Sequence, residues 1–278
     1  MNKRLRVPCS YQGGKQRIAP QIVDHLLDAA PYRDSHFYDL CCGSGAISIE
    51  LVNRGINPSR IHMLDISTWG AFWSAIGSGN FDMNLFDQYL KELPDNKREY
   101  KAHMAMLSAR PFLETEIELY PILQANSFGG KQIWHDGASW ENACFRDYWE
   151  PTATSVRRSP ANPMQPGPPE LRRRIYTLIK GMSGVKAIKD DIETIFDFNI
   201  PSNAVVYVDP PYKNTTKYGF DFNLDFFVNK FRKLYQVPLF ISEGTALNNN
   251  AIMLTFGGAK GGISGFKKRK HEEWLNRF

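Results

Sequence analysis

The chain has 278 residues, 42% hydrophobic and 13% aromatic, enough to bury one large core or one core with a subdomain. No run approaches the roughly eighteen apolar residues of a membrane span, and Met1 to Arg6 leads into a motif and not an apolar signal sequence, so a soluble cytoplasmic protein with no membrane partner is expected. The net charge of +5 is modest, and Cys9, Cys41, Cys42 and Cys144 lack paired metal spacing, so neither a metal nor a disulfide framework is expected.

Near the amino terminus, Tyr11-Gln12-Gly13-Gly14-Lys15 precedes an amphipathic segment carrying Ile18, Ile22, Val23, Leu26 and Leu27, which predicts a turn leading into a helix. Two glycines followed by a lysine can fold over an anionic group, with the ammonium as a point charge for a carboxylate. A phosphate-binding loop needs Ser or Thr directly after the lysine, and Gln16 stands there instead. The next apolar run, Phe37-Tyr38-Asp39-Leu40, turns through Cys41-Cys42-Gly43-Ser44-Gly45 into the helical pattern Ile47, Ile49, Leu51 and Val52. A strand, Gly-rich turn and helix start suits a nucleoside-bearing cofactor, because glycines allow close backbone approach and the helix start offers N–H groups. About twenty residues beyond Gly45, the strand-like run Ile61 to Leu64 ends at Asp65, where a ribose-binding carboxylate belongs in this type of fold. The same position suits a helix cap.

Leu85, Tyr89, Leu90 and Leu93 recur at helical spacing, Pro94 and Asp95 form a break, and Met104, Met106, Leu107 and Phe112 continue the apolar pattern. Residues 85–180 read as an insertion between two halves of one domain, 1–84 and 181–278. Within it, Trp134, Trp140, Phe145, Tyr148 and Trp149 suit the core of a small subdomain or stacking on bases. Pro151 to Pro169 reads as a proline-rich loop whose Arg157 and Arg158 could meet phosphate or guanine. Two more basic clusters, Arg172 to Arg174 and Lys267 to Lys270, suit phosphates or a solvated surface.

The most informative stretch comes later, where the apolar run Val205-Val206-Tyr207-Val208 stops at Asp209-Pro210-Pro211-Tyr212. Such a run predicts a buried parallel strand, and the two prolines end it. Ligands sit beyond the carboxyl ends of strands in open α/β sheets, so this loop presents an acid, rigid carbonyls and a ring where chemistry is done. Methyl transfer to an exocyclic amine wants this set. The amine lone pair is delocalised into its ring, and acceptors that engage its N–H groups localise it on nitrogen. The Asp209 carboxylate and the Pro210 carbonyl are such acceptors, Pro211 helps hold them rigid, and Tyr212 can stack on the base.

In kind and order, Tyr11 to Lys15, Asp39 to Gly45, Asp65 and Asp209 to Tyr212 resemble the motifs of the Dam-like DNA adenine N6-methyltransferases of bacteria and their phages. The resemblance implies an α/β, Rossmann-like S-adenosylmethionine-dependent methyltransferase fold with a mixed seven-stranded sheet and a mostly helical target-recognition insertion. It implies methyl transfer from S-adenosylmethionine to the N6 amino group of an adenine flipped out of double-stranded DNA, by a monomer or weak dimer in a bacterial or phage-infected cell. Tyr11, Gly14 and Lys15 would meet the methionine part of the cofactor, Asp39, Gly43, Ser44 and Gly45 its adenosyl part, and Asp65 its ribose. Asp209 would lie near both cofactor and target amine. Val185 to Ile192 is similar to the family strand whose terminal acid faces the adenine, with Asp191 preferred over Asp190. Ile122 to Trp134 resembles the start of the base-recognition region, making Lys131 a phosphate-contact candidate. Lys213 to Phe220, with Lys217 and Tyr218, would form the other wall of the target pocket. Pro238 to Glu243 reads as the strand after the catalytic loop, and Lys268 to Leu275 is similar to the family's closing segment. Where the family often has acid, Pro and Phe before the glycines, this chain has Asp39-Leu40-Cys41-Cys42. An amine on cytosine N4 or RNA is an open alternative substrate, and a catalytically inactive DNA-binding relative an alternative of a different class.

Overall fold

The computed structural model describes residues 4–110, 116–212, 222–257 and 271–278. Lys217, Tyr218, Phe220 and the basic run Lys267 to Lys270 lie outside the described residues. The chain enters through α1 (Ala19–Asp28), which buries Ile22, Val23 and Leu26. It continues through β1 (His36–Leu40), α2 (Ala46–Asn53), β2 (Ile61–Asp65) and α3 (Thr68–Ser78), which Ser67 caps. The insertion then adds α4 (Met83–Lys91), α5 (Tyr100–Ser108), α6 (Glu116–Asn126), a short hairpin of β3 (Trp134–His135) and β4 (Trp140–Glu141), and α7 (Pro168–Gly181). The proline-rich loop therefore ends earlier than its composition predicts. Pro168 and Pro169 open α7, since the first turn of a helix has no hydrogen-bonded N–H to lose. The chain returns through β5 (Lys186–Lys189), β6 (Ala204–Val208), α8 (Leu224–Leu234), β7 (Leu239–Glu243), β8 (Ile252–Gly257) and β9 (His271–Arg277).

Among the described residues, seven strands form one mixed sheet in the order β5-β2-β1-β6-β7-β9-β8. The first five are parallel, and β9 runs antiparallel to both β7 and β8. This is the α/β class expected from the sequence, and its mostly parallel sheet is compatible with a Rossmann-like fold. All five residues of β6 are buried, as expected of a strand covered on both faces. Phe37, Ile61, Met63, Val205 and Tyr207 face one side with α1 to α7, and Tyr38, Leu40, Leu64, Val206 and Val208 face the other. There α8 supplies Leu224, Phe227 and Phe231, spaced one helical turn or two apart, and Asn223 caps its first turn.

Among the described residues, the insertion has no core of its own. Phe86 of α4, Met104 and Leu107 of α5, Leu123 of α6 and Ile175 of α7 join the cluster that holds Trp69, Phe72 and Trp73 of α3. Tyr120 stands edge-on to Trp69 at 4.9 Å and stacks on Trp140 at 6.0 Å, joining the hairpin to the same packing. Of the aromatic cluster, Trp140 and Phe145 are buried, whereas Trp149 is exposed. The Arg172 to Arg174 cluster is engaged internally: Arg172 makes two bonds of 2.7 Å to Asp87, and Arg173 and Arg174 both bind Glu170. Among the described residues, no helix is long and apolar enough to cross a membrane.

The α3 helix lies unusually close to β5. A Cβ on Gly70 would stand 2.3 Å from the Asp65 carbonyl oxygen and 2.6 Å from Lys189 Cα, and one on Gly77 would stand 2.2 Å from the Val185 carbonyl oxygen. Only residues without a side chain fit these places. Alanine is the better helix former by about 1 kcal/mol, so propensity alone predicts that Gly77→Ala stabilises the protein. We expect instead a loss of about 1–3 kcal/mol in urea unfolding from overpacking, and a gain would contradict the close approach.

Candidate active site

Parallel pairing of β2, β1 and β6, with Leu40 opposite both Leu64 and Val208, brings three loops to one edge of the sheet. The Asp209 N–H donates to the Leu40 carbonyl at 3.1 Å, and the Cys42 N–H to the Leu64 carbonyl at 3.1 Å. The turn after β1, Asp65 at the end of β2 and Asp209 after β6 are therefore fixed side by side by backbone bonds. Positive φ at Cys41 (57°), Gly43 (48°) and Gly45 (72°) bends the turn sharply into α2. A Cβ on Gly45 would stand 2.4 Å from the Trp73 ring, whose Nε1 donates to the Gly43 carbonyl at 2.8 Å.

Asp65 lies beneath this turn. One oxygen accepts the Gly43 N–H at 2.7 Å, and the other accepts the Ser67 N–H at 2.9 Å and the Ser67 hydroxyl. The cap of α3 is Ser67 and not Asp65, which instead holds Ser67 and the Gly43 turn, and its Oδ2, with one bond, keeps acceptor capacity. Burial raises the Asp65 pKa, opposed by its bonds to Ser67 and Gly43. Asp39 faces inward, where its Oδ2 accepts the Ser48 hydroxyl at 2.7 Å and the Ser48 N–H at 3.1 Å. Burial pushes Asp39 up to about 7 against those two bonds, with Asp209 and Asp65 adding to the rise. Its observed contacts tie β1 to the first turn of α2.

The amino-terminal motif folds over this turn. A Cβ on Gly43 would meet the Tyr11 ring at 2.9 Å, and one on Gly14 would stand 3.7 Å from Ser44 Oγ. Tyr11, Gly14, Gly43 and Ser44 are thus brought together from distant parts of the chain. Lys15 is buried, and its Nζ lies 2.7 Å from Asp209 Oδ1 and 4.8 Å from the centre of the Tyr212 ring. Burial raises Asp209 to about 6, against the opposing pull of the Lys15 ammonium. Pro210 is buried and Pro211 half-buried, so the loop is held from below.

Glu273 of β9 went unassigned in the sequence. Its carboxyl accepts the Tyr212 hydroxyl, and Oε1 lies 3.6 Å from Lys15 Nζ. Nothing local marks this acid, because its partners lie 61 and 258 residues earlier in the chain. Asp191 is exposed and caps a 3-10 turn (Ile192–Asp197) through Glu193 N–H at 2.8 Å. Asp190 is also exposed, and its carboxyl accepts the Asp191 N–H. Among the described residues no group of three or more His, Cys, Asp or Glu side chains is placed to hold a metal ion.

Lys131, Arg157 and Arg158 are exposed. Lys131 follows the Phe128–Gly130 turn, whose Gly130 carbonyl accepts the Gln12 N–H at 2.7 Å, so the insertion touches the motif that carries Lys15. Arg157 donates to the Ser159 and Pro160 carbonyls and Arg158 to that of Ala153, which shapes the loop and leaves both guanidinium groups at the surface. The half-buried Arg146 lies near Arg157, and burial together with that neighbour lowers its pKa.

Lys15→Met removes the cation beside Asp209 without opening the site. The Asp209 midpoint should then move upward from about 6, as carboxyl-carbon NMR titration would show, and an unchanged midpoint would contradict the pairing. No protein-family model matches this chain, and no curated protein matches it.

Proposed function

We propose that this chain is an S-adenosylmethionine-dependent DNA methyltransferase acting on the N6 amino group of adenine. The observation that carries the reading is the convergence of Tyr11, Gly14 and Lys15 with the Gly43 turn, Asp65 and Asp209 at the carboxyl ends of adjacent parallel strands. The turn and Asp65 would receive the adenosyl part, with a ribose hydroxyl at the lone pair left on Asp65 Oδ2, and Lys15 the methionine carboxylate. S-adenosylmethionine supplies an electrophilic methyl group when bound there. The exposed Lys131, Arg157 and Arg158 offer cations to the DNA backbone, which must be gripped while a base is flipped out.

With an adenine in place, the Asp209 carboxylate and the Pro210 carbonyl accept its two N–H groups and localise the lone pair on nitrogen. That pair would be available to the electrophilic methyl group of a cofactor held here, its C–S pair going back to sulfur as the C–N bond formed. The methylated nitrogen then loses one proton to water by way of Asp209, whose raised pKa suits brief protonation. Tyr212 presents its ring to the base, with Lys15 on one of its faces.

The test is transfer of labelled methyl groups from S-adenosylmethionine to unmethylated genomic DNA, followed by mass spectrometry of the nucleosides. N6-methyladenine supports the reading, N4-methylcytosine keeps the mechanism and changes the base, and no label in DNA despite cofactor binding refutes it. Asp209→Ala should lower kcat by at least about a hundredfold, the scale on which an electrostatic stabiliser is lost. Because the ionised Asp209 is the stronger acceptor and only that form can take up the amine proton, kcat/KM should fall as pH drops through about 6 and level off above it. A profile flat down to pH 5 would contradict that role.

A further inference from the structure

Glu273 places a second acid against the Lys15–Asp209 pair. Its side chain is 16% exposed and that of Lys15 8%, so water screens their charges poorly. The Lys15 ammonium lies 2.7 Å from Asp209 and 3.6 Å from Glu273, so this cluster sets two carboxylates against one ammonium. Its formal excess is one negative charge.

Taking the methyltransferase reading as its basis, we propose that Glu273 supplies the counter-charge by which this site distinguishes a sulfonium cofactor from its thioether product. S-adenosylmethionine and S-adenosylhomocysteine share the same adenosyl group and the same amino-acid zwitterion. They differ by one methyl group and by the positive charge on sulfur. A cleft with an excess negative charge stabilises the sulfonium, and that attraction disappears when the methyl group leaves. Without Glu273 the Lys15 and Asp209 charges cancel within this cluster, and the site's electrostatic preference for the sulfonium weakens.

The same carboxyl accepts the Tyr212 hydroxyl, so charge and positioning must be separated. Glu273→Gln removes the charge and keeps an acceptor for the tyrosine, whereas Glu273→Asp keeps the charge on a shorter arm. Calorimetric binding of S-adenosylmethionine and S-adenosylhomocysteine, each titrated separately at neutral pH, reads the preference directly. Relative to wild type, the ratio of product Kd to substrate Kd should fall roughly tenfold in Glu273→Gln, the size expected when one poorly screened charge is removed. In Glu273→Asp it should stay near the wild-type value. An unchanged ratio in folded Glu273→Gln overturns this role for Glu273 and leaves the methyltransferase reading standing. If the glutamine variant does not fold, a ratio lost in the aspartate variant overturns it equally. Wild-type protein that binds neither compound overturns the methyltransferase reading, and the counter-charge role falls with it.

Discussion

The Lys15–Asp209 ion pair is the contact on which the candidate site depends. It joins a turn that precedes α1 to a loop that follows β6, and it does so where both side chains are largely withdrawn from water. Charges so placed are costly unless paired and hydrogen-bonded. The raised pKa of Asp209 shows that burial outweighs the help it receives from Lys15. Such a carboxylate is poorly solvated and strongly disposed to accept a hydrogen bond from a ligand. The arrangement is preorganised by parallel strand pairing, the Gly43 turn and the Trp73 indole, each fixing backbone before any ligand arrives.

The sequence made the central strands legible because each is a short apolar run ended by an acid or a glycine. The runs at Phe37, Ile61, Val205 and Leu239 become β1, β2, β6 and β7, and the helical spacing at Leu85 becomes α4. What stayed hidden depends on pairings between distant residues. Glu273 has no local signal, and its place beside Lys15 follows only from the antiparallel entry of β9 next to β7. Gly70 and Gly77 look like weak points in a helix, yet their bare Cα atoms let α3 settle on β5. The arginines at 172 to 174 suit phosphates or a solvated surface by sequence, and their partners Asp87 and Glu170 engage them within the insertion. Pro168 and Pro169 show the same limit at short range, since a proline pair marks a loop and a helix start equally well.

The insertion reads as a separate region in sequence, but physically it shares one core with the sheet. Trp69, Trp73 and Tyr120 form the junction, and the Gln12 to Gly130 backbone bond links the insertion to the motif that bears Lys15. The insertion thus meets the amino-terminal motif through packed aromatic rings and through backbone bonds from Gln12 to Gly130 and from Ser10 to Gln165. In a methyltransferase this joins the surface that would grip the substrate to the turn that would hold the cofactor.

The central claim is that the Gly43 turn, Asp65 and Lys15 form one cofactor cradle. A crystal structure of the protein grown with S-adenosylhomocysteine tests it most directly. The account predicts a ribose hydroxyl within hydrogen-bond distance of Asp65 and the amino-acid carboxylate at Lys15. A ligand bound elsewhere, or one whose ribose and carboxylate avoid these two residues, would contradict it.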